Sequence, residues 1–439
     1  MCGVKKALLG VGAFAVATTF AAGLNVVSAF ATDISSDYSI TGNETEGLVV
    51  KSGSSVTISI DHDLALDGDI IFVENGATAT IKGTGTLSAK TNSVLFNNGT
   101  TKIESGTLAN GGTSFYTVLN HGNLTINGGT ILGSQNITLN GSSFEGPSNI
   151  ENGYYDFGST NPRVGYIVGT GIEKPTLTIN GGTFEYGMYN VKNDDNGILT
   201  INKGTFENSV GFNVQNWNKA TINGGTFHAD VAKKYNNAKE SVNVYDGYMN
   251  TTTDTGELTI NGGAFDSEYS FMVKGAPEIA IANGNFNSTK ALATSIITPT
   301  VTGGTFADKK VTVDEEKYAK IGNTDGSVTV KPIATKISAD DMNIMVGTNN
   351  NVVVIKTTPD NAYYGKVTYS SSNEKVATVD ENGVVTAVSA GTATITIVTE
   401  NELTTTLTVT VKDAPIANPN TLDNVVVYGA IMMIAPWLV

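Results

Sequence analysis

Cysteine, arginine and histidine are scarce in this chain of 439 residues. It contains one cysteine, Cys2, one arginine, Arg163, and three isolated histidines, His62, His121 and His228. A single cysteine excludes an intrachain disulfide, and the scattered histidines do not have the spacing of a Cys/His metal site. The histidines are therefore expected at the surface or in turns. The pattern predicts no bound metal and no cofactor.

Basic residues are also too few for some classes of partner. The chain has 26 Lys and Arg against 41 Asp and Glu, which gives a formal net charge of −15 at pH 7. Nucleic acids and anionic lipids are bound by clustered Lys and Arg. We therefore expect no nucleic acid and no specific membrane lipid among the partners.

Glycine, threonine and asparagine are abundant instead. There are 49 glycines, and 40% of the residues are hydrophobic. Glycine and asparagine disfavour helices and favour turns, whereas threonine favours strands. An apolar content of this size is sufficient for a core. The composition predicts an all-β protein, and the length predicts two or three domains.

Residues 1–31 have the features of a secretory signal peptide. Lys5 and Lys6 precede an apolar stretch from Ala7 to Leu24, and the small-x-small sequence Ala29-Phe30-Ala31 follows it. This order is typical of an exported protein and predicts cleavage after Ala31. A retained membrane anchor is the alternative interpretation.

Residues 413–439 form a predicted linker, a short motif and an apolar tail. The motif is Asn418-Pro419-Asn420-Thr421, and the nearly apolar segment from Val425 to Val439 follows. Together these segments resemble the sorting signal of sortase substrates. The resemblance implies a sortase-type transpeptidase as a partner, cleavage after Thr421 and attachment to the cell surface. Leu422 and the lack of a basic residue at the end depart from that pattern. A retained or truncated membrane tail and a packed strand remain alternatives.

The middle of the chain repeats one short sequence, best seen as LTINGGTF from Leu177 to Phe184. Where no insertion interrupts it, the repeat recurs every 20 to 23 residues, and its residues alternate between apolar and polar as in a strand. A fixed period of this size predicts a solenoid. We assign residues 32–331 to a right-handed parallel β-helix, with inward ladders of Phe and of Ile or Leu. The repeat resembles the pectate-lyase-like β-helix repeats of secreted and surface proteins.

A second strand follows each copy of the repeat and predicts a binding wall. If its residues alternate strictly, one face presents amides and a lysine, with aromatic residues nearby. Such groups bind sugars by hydrogen bonding and stacking. The candidate binding residues are Asn190, Lys192, Asn213, Gln215, Trp217, Asn243 and Tyr245, with Lys274, Tyr154 and Tyr155 as further contributors. The expected partner is a carbohydrate or a host or cell-surface protein.

Residues 332–412 have a different pattern of short alternating strands separated by turns at Gly383 and Gly391. The segment from Val367 to Thr396 resembles the bacterial immunoglobulin-like domain of group 2. The resemblance implies a small β-sandwich, held together by core packing alone, and a role as a spacer or adhesive module at the surface. The predicted architecture is thus a β-helix followed by an Ig-like β-sandwich.

Candidates for catalysis are few. Asp194-Asp195 is the best carboxylate pair, but its surroundings predict a turn. The sequence His121-Gly122 is similar to a polygalacturonase motif in the wrong order, and Arg163 has no identifiable partner. No catalytic residue is therefore assigned, and a polysaccharide lyase or hydrolase of the β-helix fold remains the alternative.

Two sets of polar residues are given structural roles. The first could suggest a calcium site, but the EF-hand order fails and solvated carboxylates are expected; its members are Asp61, Asp63, Asp67 and Asp69. The second recurs at one position of the repeat and predicts a stacked ladder; its members are Asn127, Asn180, Asn202, Asn223 and Asn261. The whole sequence predicts a secreted, surface-attached and non-catalytic protein, either adhesin-like or structural.

Overall fold

The computed structural model describes residues 31–111, 116–134, 149–153, 174–194, 196–229, 241–246, 256–273, 278–293 and 299–414. Every regular element within these ranges is a β-strand. None of the described segments is a helix of the length and apolar character needed to span a membrane. The chain divides into two compact units, residues 1–331 and 332–439. The all-β fold class is confirmed.

The first unit contains an 11-stranded sheet in which every paired neighbour is parallel. Its strands carry the Leu-Thr-Ile part of the repeat, one strand from each coil. They are β2 (Tyr38–Ile40), β4 (Ser55–Ile60), β7 (Thr78–Gly83), β10 (Thr100–Ile103), β13 (Asn123–Ile126), β16 (Thr176–Ile179), β19 (Ile198–Ile201), β22 (Lys219–Ile222), β25 (Glu257–Ile260), β27 (Glu278–Ile281) and β29 (Thr300–Val301).

A second, larger sheet holds two further parallel series. One carries the Gly-Thr-Phe part of the repeat: β5 (Leu64–Leu66), β8 (Thr86–Ala89), β11 (Thr107–Asn110), β14 (Thr130–Leu132), β17 (Thr183–Glu185), β20 (Thr205–Glu207), β23 (Thr226–His228), β26 (Ala264–Val273), β28 (Asn285–Ala293) and β30 (Gly304–Phe306). The other carries the second strands of the repeat: β1 (Ala31–Ile34), β3 (Gly47–Val50), β6 (Ile71–Val73), β9 (Leu95–Asn97), β12 (Val118–Asn120), β15 (Ile150–Asn152), β18 (Tyr189–Asn193), β21 (Phe212–Asn216) and β24 (Val242–Asp246), which pairs with β26.

Stacking of equivalent residues makes the β-helix. Leu177 lies in register with Leu199, and Ile179 with Ile201, so that the same side chains repeat from coil to coil. These residues are fully buried and belong to one continuous core. The predicted parallel β-helix is confirmed. The strands β31 (Tyr318–Gly322) and β32 (Val328–Pro332) end this unit, with β32 antiparallel to β30.

The phenylalanines of the repeat form one stack in the core. Consecutive ring centroids are 4.6–5.0 Å apart, and consecutive ring planes lie within 7° of parallel. This spacing follows the strand spacing of a sheet, about 4.8 Å. The predicted phenylalanine ladder is therefore present, and its members are Phe184, Phe206, Phe227, Phe265, Phe286 and Phe306.

The predicted asparagine ladder lies at the solvent-accessible corner after the first strand. The side-chain amide of Asn180 donates to Asn127 at 2.9 Å, and Asn202 donates to Asn180 at 2.7 Å. Asn223 and Asn261 continue the ladder with bonds of 2.8 Å each. Asn127 in turn donates to the carboxylate of Glu104. The expected structural role of these asparagines is confirmed.

A second ladder, which the sequence reasoning missed, lies inside the β-helix at the ends of the second strands. Its members are completely buried, and each amide nitrogen donates to the side-chain oxygen of the next member at 2.7–2.8 Å. The order from donor to acceptor is Asn97, Asn120, Asn152, Asn193, Asn216 and Asp246. Buried amides are costly unless they are hydrogen-bonded, and the ladder satisfies them.

The second unit is built from short sheets around its own core. A four-stranded sheet has the order β34 (Met342–Met345), β41 (Thr404–Lys412), β40 (Gly391–Thr399) and β37 (Val367–Ser371). A three-stranded sheet has the order β35 (Asn351–Val352), β39 (Val384–Ala387) and β38 (Ala377–Val379), and β33 (Lys336–Ser338) pairs with β36 (Lys356–Thr358). Val385, Ile395 and Val409 are fully buried between them.

Candidate functional site

A column of polar residues lies on the outer side of the second strands. Val191, Val214 and Val244 face the core, so the residue after each of them points away from it. These following residues, Lys192, Gln215 and Tyr245, lie in register on adjacent strands, and Glu151 precedes them in register with Lys192. The column is nevertheless largely shielded from solvent: Gln215 is 0% exposed and Tyr245 is 1% exposed.

Lys192 is held between two carboxyl groups. Its Nζ lies 3.2 Å from Oε1 of Glu151 and 3.1 Å from Oδ1 of Asp194. The side chains of Lys192 and Glu151 are 13% and 12% exposed, and that of Asp194 is 0% exposed. Strand pairing explains the first contact, because Glu151 and Lys192 are direct partners on β15 and β18. Strand alternation explains the second, because Lys192 and Asp194 are two residues apart.

Aromatic residues surround this ion cluster. The Nζ of Lys192 lies 4.6 Å from the centroid of the Trp217 ring. Tyr116 is hydrogen-bonded through its side chain to Glu151. His121 is buried and packs edge-on against Phe96, with ring centroids 5.2 Å apart. His121 is thus not at the surface, but it lies in the turn between β12 and β13, the other position expected for the histidines.

Burial and proximity separate the proton affinities of the two carboxyl groups. Burial raises the pKa of Asp194 well above its usual value, opposed by Lys192 and reinforced by the negative charge of Glu151. Burial also acts to raise the pKa of Glu151, but Lys192 and a hydrogen bond from Asp194 outweigh it and lower that pKa. Desolvation would lower the pKa of Lys192, yet Asp194, Tyr116 and Glu151 raise it well above normal. These shifts favour the charged forms of Lys192 and Glu151 and disfavour the charged form of Asp194.

The predicted binding wall is wrong for three of its asparagines. Asn190, Asn213 and Asn243 are 0% exposed, whereas the prediction placed them on an accessible surface. Asn190 donates to the backbone carbonyl groups of Tyr186 and Glu207. Asn213 donates to Asn243, and Asn243 donates to Ser267 and to the carbonyl group of Asp266. Strict alternation fails here, because Asn190 and the adjacent core residue Val191 are both buried. The side-chain amides of these asparagines thus donate hydrogen bonds to buried polar groups of the coils instead of facing a ligand.

The other predicted wall residues are also poorly accessible. Gln215 is buried, and its two side-chain polar atoms have no hydrogen-bond partner among the described residues. Tyr245 packs in a small apolar cluster with Tyr189 and Phe212, and burial raises its pKa. Lys192 is engaged by carboxyl groups, as described above, and Trp217 is half-buried. The structure brings Lys192, Gln215 and Trp217 together with Asp194 and Glu151, but not as an open surface.

Several predicted residues lie outside the described ranges. They are Tyr154, Tyr155, Arg163, Asp195, Lys274, residues 1–30 of the predicted signal peptide and the sorting-like motif Asn418, Pro419, Asn420 and Thr421. Ala31, at the predicted cleavage position, is the first residue of β1.

The acidic residues near the N-terminal coils do not converge. Asp61 and Asp63 are exposed, and Asp67 is exposed and lies 3.2 Å from Nζ of Lys90. Asp69 departs from the expectation of a solvated carboxylate, because it is 4% exposed and accepts a hydrogen bond from the backbone of Ser93. Burial raises the pKa of Asp69 to about 7. Within the described ranges, no group of three or more His, Cys, Asp or Glu side chains is arranged to hold a metal ion.

The remaining histidines lie where the sequence placed them. His62 is exposed, and His228 is exposed with its Nδ1 2.9 Å from Oδ2 of Asp266.

An accessible wall that sequence reasoning did not single out lies on the outer face of the 11-stranded sheet. Its threonines are half-buried and lie at one register position, which Lys102 occupies between Thr80 and Thr125; they are Thr57, Thr80, Thr125, Thr178, Thr200, Thr221 and Thr259. The outer asparagine ladder runs beside this column, two residues further along each coil. We call these two columns the threonine–asparagine wall. The Thr and Asn of the LTIN repeat were the signal that could have revealed it.

Glu151 was also missed. The sequence Ile150-Glu151-Asn152 is equivalent to Val191-Lys192-Asn193 in the next coil, and the recurring Asn at its end is the signal for that alignment. Insertions on both sides of residues 149–153 hide the equivalence in the sequence.

Two comparisons relate this chain to known proteins. The chain is 33% identical over 102 residues, 23% of its length, to an uncharacterised protein of Clostridium acetobutylicum. That match covers 10% of the clostridial protein, so the chain corresponds to about a tenth of it. Domains of the kind found here are typical of extracellular or surface proteins of bacteria. Residues 333–411 match the bacterial Ig-like domain of group 2, which confirms the sequence-based assignment of this unit.

Proposed function

We propose that this chain is a non-catalytic bacterial surface protein, adhesin-like in its action, which binds a carbohydrate polymer through the threonine–asparagine wall of its β-helix. The observation that carries the proposal is the in-register repetition of hydroxyl and amide groups on an accessible face. Both groups donate and accept hydrogen bonds, as sugar hydroxyl groups do. Their repeat of about 4.8 Å along the β-helix suits a ligand that is itself periodic.

The proposed wall replaces the one predicted from the second strands. Residues such as Asn213 and Gln215 are buried and cannot meet a polymer without opening of the structure. The threonines and asparagines of the new wall are half-buried or exposed, and the exposed Lys102 lies in the threonine column.

The Ig-like domain supports a location outside the cell. Such a domain is an expected spacer between an attached end and a binding region. The sequence 418–421 would provide the attachment through a sortase-type transpeptidase, as the resemblance to sorting signals implies. In this proposal the predicted signal peptide directs export of the chain.

The alternative, a polysaccharide lyase or hydrolase, has one candidate site in the described ranges, at Glu151 and Asp194. Glycoside hydrolases separate their two carboxyl groups by about 5–5.5 Å or about 6.5–9.5 Å, so that a sugar or a water fits between them. Here both groups contact the same nitrogen of Lys192, at 3.2 Å and 3.1 Å, and both are shielded from solvent. This arrangement favours the non-catalytic proposal.

Removal of hydroxyl groups from the wall tests the proposal. The triple variant T178V/T200V/T221V keeps side-chain shape and strand propensity but deletes three neighbouring hydroxyl groups. We expect retention on a panel of insoluble plant, mucin-derived and bacterial glycans to fall at least about tenfold relative to the unaltered protein. The matched control, T183V/T205V/T226V, removes three hydroxyl groups of the same repeats on β17, β20 and β23.

The control variant should retain full binding. An equal loss in both variants, or no retention of the unaltered chain on any glycan, contradicts the proposed wall, and capture of a protein receptor instead would replace the ligand class. Release of new reducing or unsaturated ends from any glycan contradicts the non-catalytic assignment.

A further inference from the structure

Lys192 and its neighbouring carboxyl groups form an ion pair, but their spacing is also that of groups positioned to react with one another. The side-chain nitrogen of Lys192 lies 3.2 Å from an oxygen of Glu151 and 3.1 Å from an oxygen of Asp194. Reacting atoms held about 3–3.5 Å apart in a fixed orientation gain a large advantage over the same groups in solution. All three side chains lie in a shielded site, where separated charges are costly.

We propose that Lys192 and Glu151 become joined by an isopeptide bond that the protein forms itself, with Asp194 as the catalytic acid. The bond links Nζ of Lys192 to Cδ of Glu151 and ties the coil of β15 to the coil of β18. These residues are 41 positions apart in the chain.

The reaction balances without any added oxidant, reductant or activated group. Lys192 gives a proton to the cluster and attacks Cδ of Glu151 as a neutral amine, which forms the new C–N bond. Asp194 donates its proton to the Glu151 oxygen that departs, the C–O bond breaks, and Asp194 regains a proton from the attacking nitrogen. The ammonium and the carboxylate are thereby converted into one amide and one water molecule.

The directions of the pKa shifts suit these roles. Burial favours the neutral form of Asp194 by raising its pKa, and in this proposal that form donates a hydrogen bond to Glu151. A neutral acid bonded to the acyl group polarises that group for attack, as donors do in other acyl transfers. Condensation also removes the two buried charges, which a salt bridge would retain at a desolvation cost.

The chain contains a natural comparison for this site. Lys219 and Glu257 are likewise direct partners on adjacent coils, with Nζ 2.7 Å from Oε2. Their side chains are 57% and 55% exposed, and water competes for both charges. Stronger shielding from solvent distinguishes Lys192, Glu151 and Asp194, whose side chains are 13%, 12% and 0% exposed. We therefore assign the bond to that pair alone.

Mass spectrometry of the purified full chain tests the proposal. After denaturation and proteolysis, we expect a branched peptide that contains Lys192 and Glu151 and is lighter than the sum of its parts by the mass of one water molecule. The variants E151A and D194N should lack this peptide. The peptides of Lys219 and Glu257 should be unlinked in every sample. A K219A variant should retain the link at Lys192.

Each result decides the matter. Unlinked peptides of Lys192 and Glu151 in the unaltered chain overturn the proposal, whatever the variants do. An undiminished link in D194N overturns the role of Asp194. A bond between Lys192 and Asp194 overturns the choice of Glu151 as the acyl group. Since the first measurement uses the unaltered protein, a variant that fails to fold does not affect it.

Discussion

Asn193 donates a hydrogen bond of 2.8 Å through its side-chain amide to the side-chain oxygen of Asn216, and both residues are completely buried. Each is equivalent to the other in adjacent coils. The bond therefore ties two coils together inside the β-helix by a contact that is neither apolar nor part of the backbone.

Substitution N193A should destabilise the β-helix strongly. The change leaves the amide of Asn152 without its acceptor and the oxygen of Asn216 without its donor. Each unsatisfied buried group costs about 1–3 kcal/mol, so we expect the free energy of unfolding to fall by about 2–5 kcal/mol. The matched control N202A interrupts the outer ladder, where water replaces the lost partners, and should cost less than about 1 kcal/mol. Urea denaturation followed by circular dichroism measures both, and similar losses would contradict the distinction between the ladders.

Substitution F227A should open a gap in the phenylalanine stack. Phe227 is fully buried with neighbouring ring centroids at 4.7 Å on both sides. Truncation of a buried Phe to Ala costs about 3–5 kcal/mol, because apolar burial is lost and a cavity remains. The adjacent exposed residue provides the control T226A, with an expected change of about 0.5 kcal/mol. A thermal unfolding midpoint as high in F227A as in T226A would show that the stack contributes little.

The stability of the β-helix should fall as pH rises through the range in which Asp69 ionises. The folded-state pKa is about 7, above the value near 3.8 of an exposed Asp. The native state therefore keeps a proton that the unfolded state releases between these two values, and this disfavours folding as the pH increases. The penalty is absent below pH of about 4 and complete above pH of about 7, and it amounts to at most about 4 kcal/mol.

The variant D69N isolates this effect. The introduced amide keeps an oxygen that can accept the backbone hydrogen bond of Ser93, but it cannot ionise. Relative to the unaltered chain, D69N should gain stability between pH of about 4 and about 8, as measured by urea denaturation at several pH values. A difference in unfolding free energy that does not change with pH would rule out a raised pKa at Asp69.

Two glycines with positive φ should respond differently to alanine. Gly83 has φ +141°, and a Cβ there would lie 2.2 Å from the backbone oxygen of Ile60 in the preceding coil. We expect G83A to cost more than about 3 kcal/mol, because backbone atoms must move. Gly53 has φ +80° with nothing within 4 Å of the added atom, so that G53A bears only the backbone strain of about 1–2 kcal/mol. Chemical denaturation distinguishes the two variants, and equal losses would contradict a steric limit on coil spacing at Gly83.

The sequence was sufficient to predict the features that repeat from coil to coil. It was insufficient to predict contacts between residues that become neighbours only when the coils stack. The LTINGGTF repeat predicted the parallel strands, the phenylalanine ladder and the outer ladder of Asn127 and Asn180, because a fixed period places equal residues above one another. The Ig-like domain was predicted from its strand and turn pattern and is confirmed.

The predicted binding wall failed for a local reason. The alternation of a strand was applied through a corner at which Asn190 and Val191 are both buried. The ion cluster was missed for a different reason, since Glu151 and Lys192 become neighbours only when two coils separated by an insertion align. Asp194 was singled out as a candidate acid, and the structure places it against Lys192, a contact that the sequence did not predict.

The two asparagine ladders run in opposite directions along the β-helix. In the inner ladder each amide donates toward the C-terminal coils, and the series ends at the carboxylate of Asp246. In the outer ladder each amide donates toward the N-terminal coils and the series ends at Glu104. A carboxylate can only accept, so it terminates each series. Aligned amides carry aligned dipoles, so the dipoles of the two ladders oppose one another. The ladders together therefore add little net dipole along the axis of the β-helix.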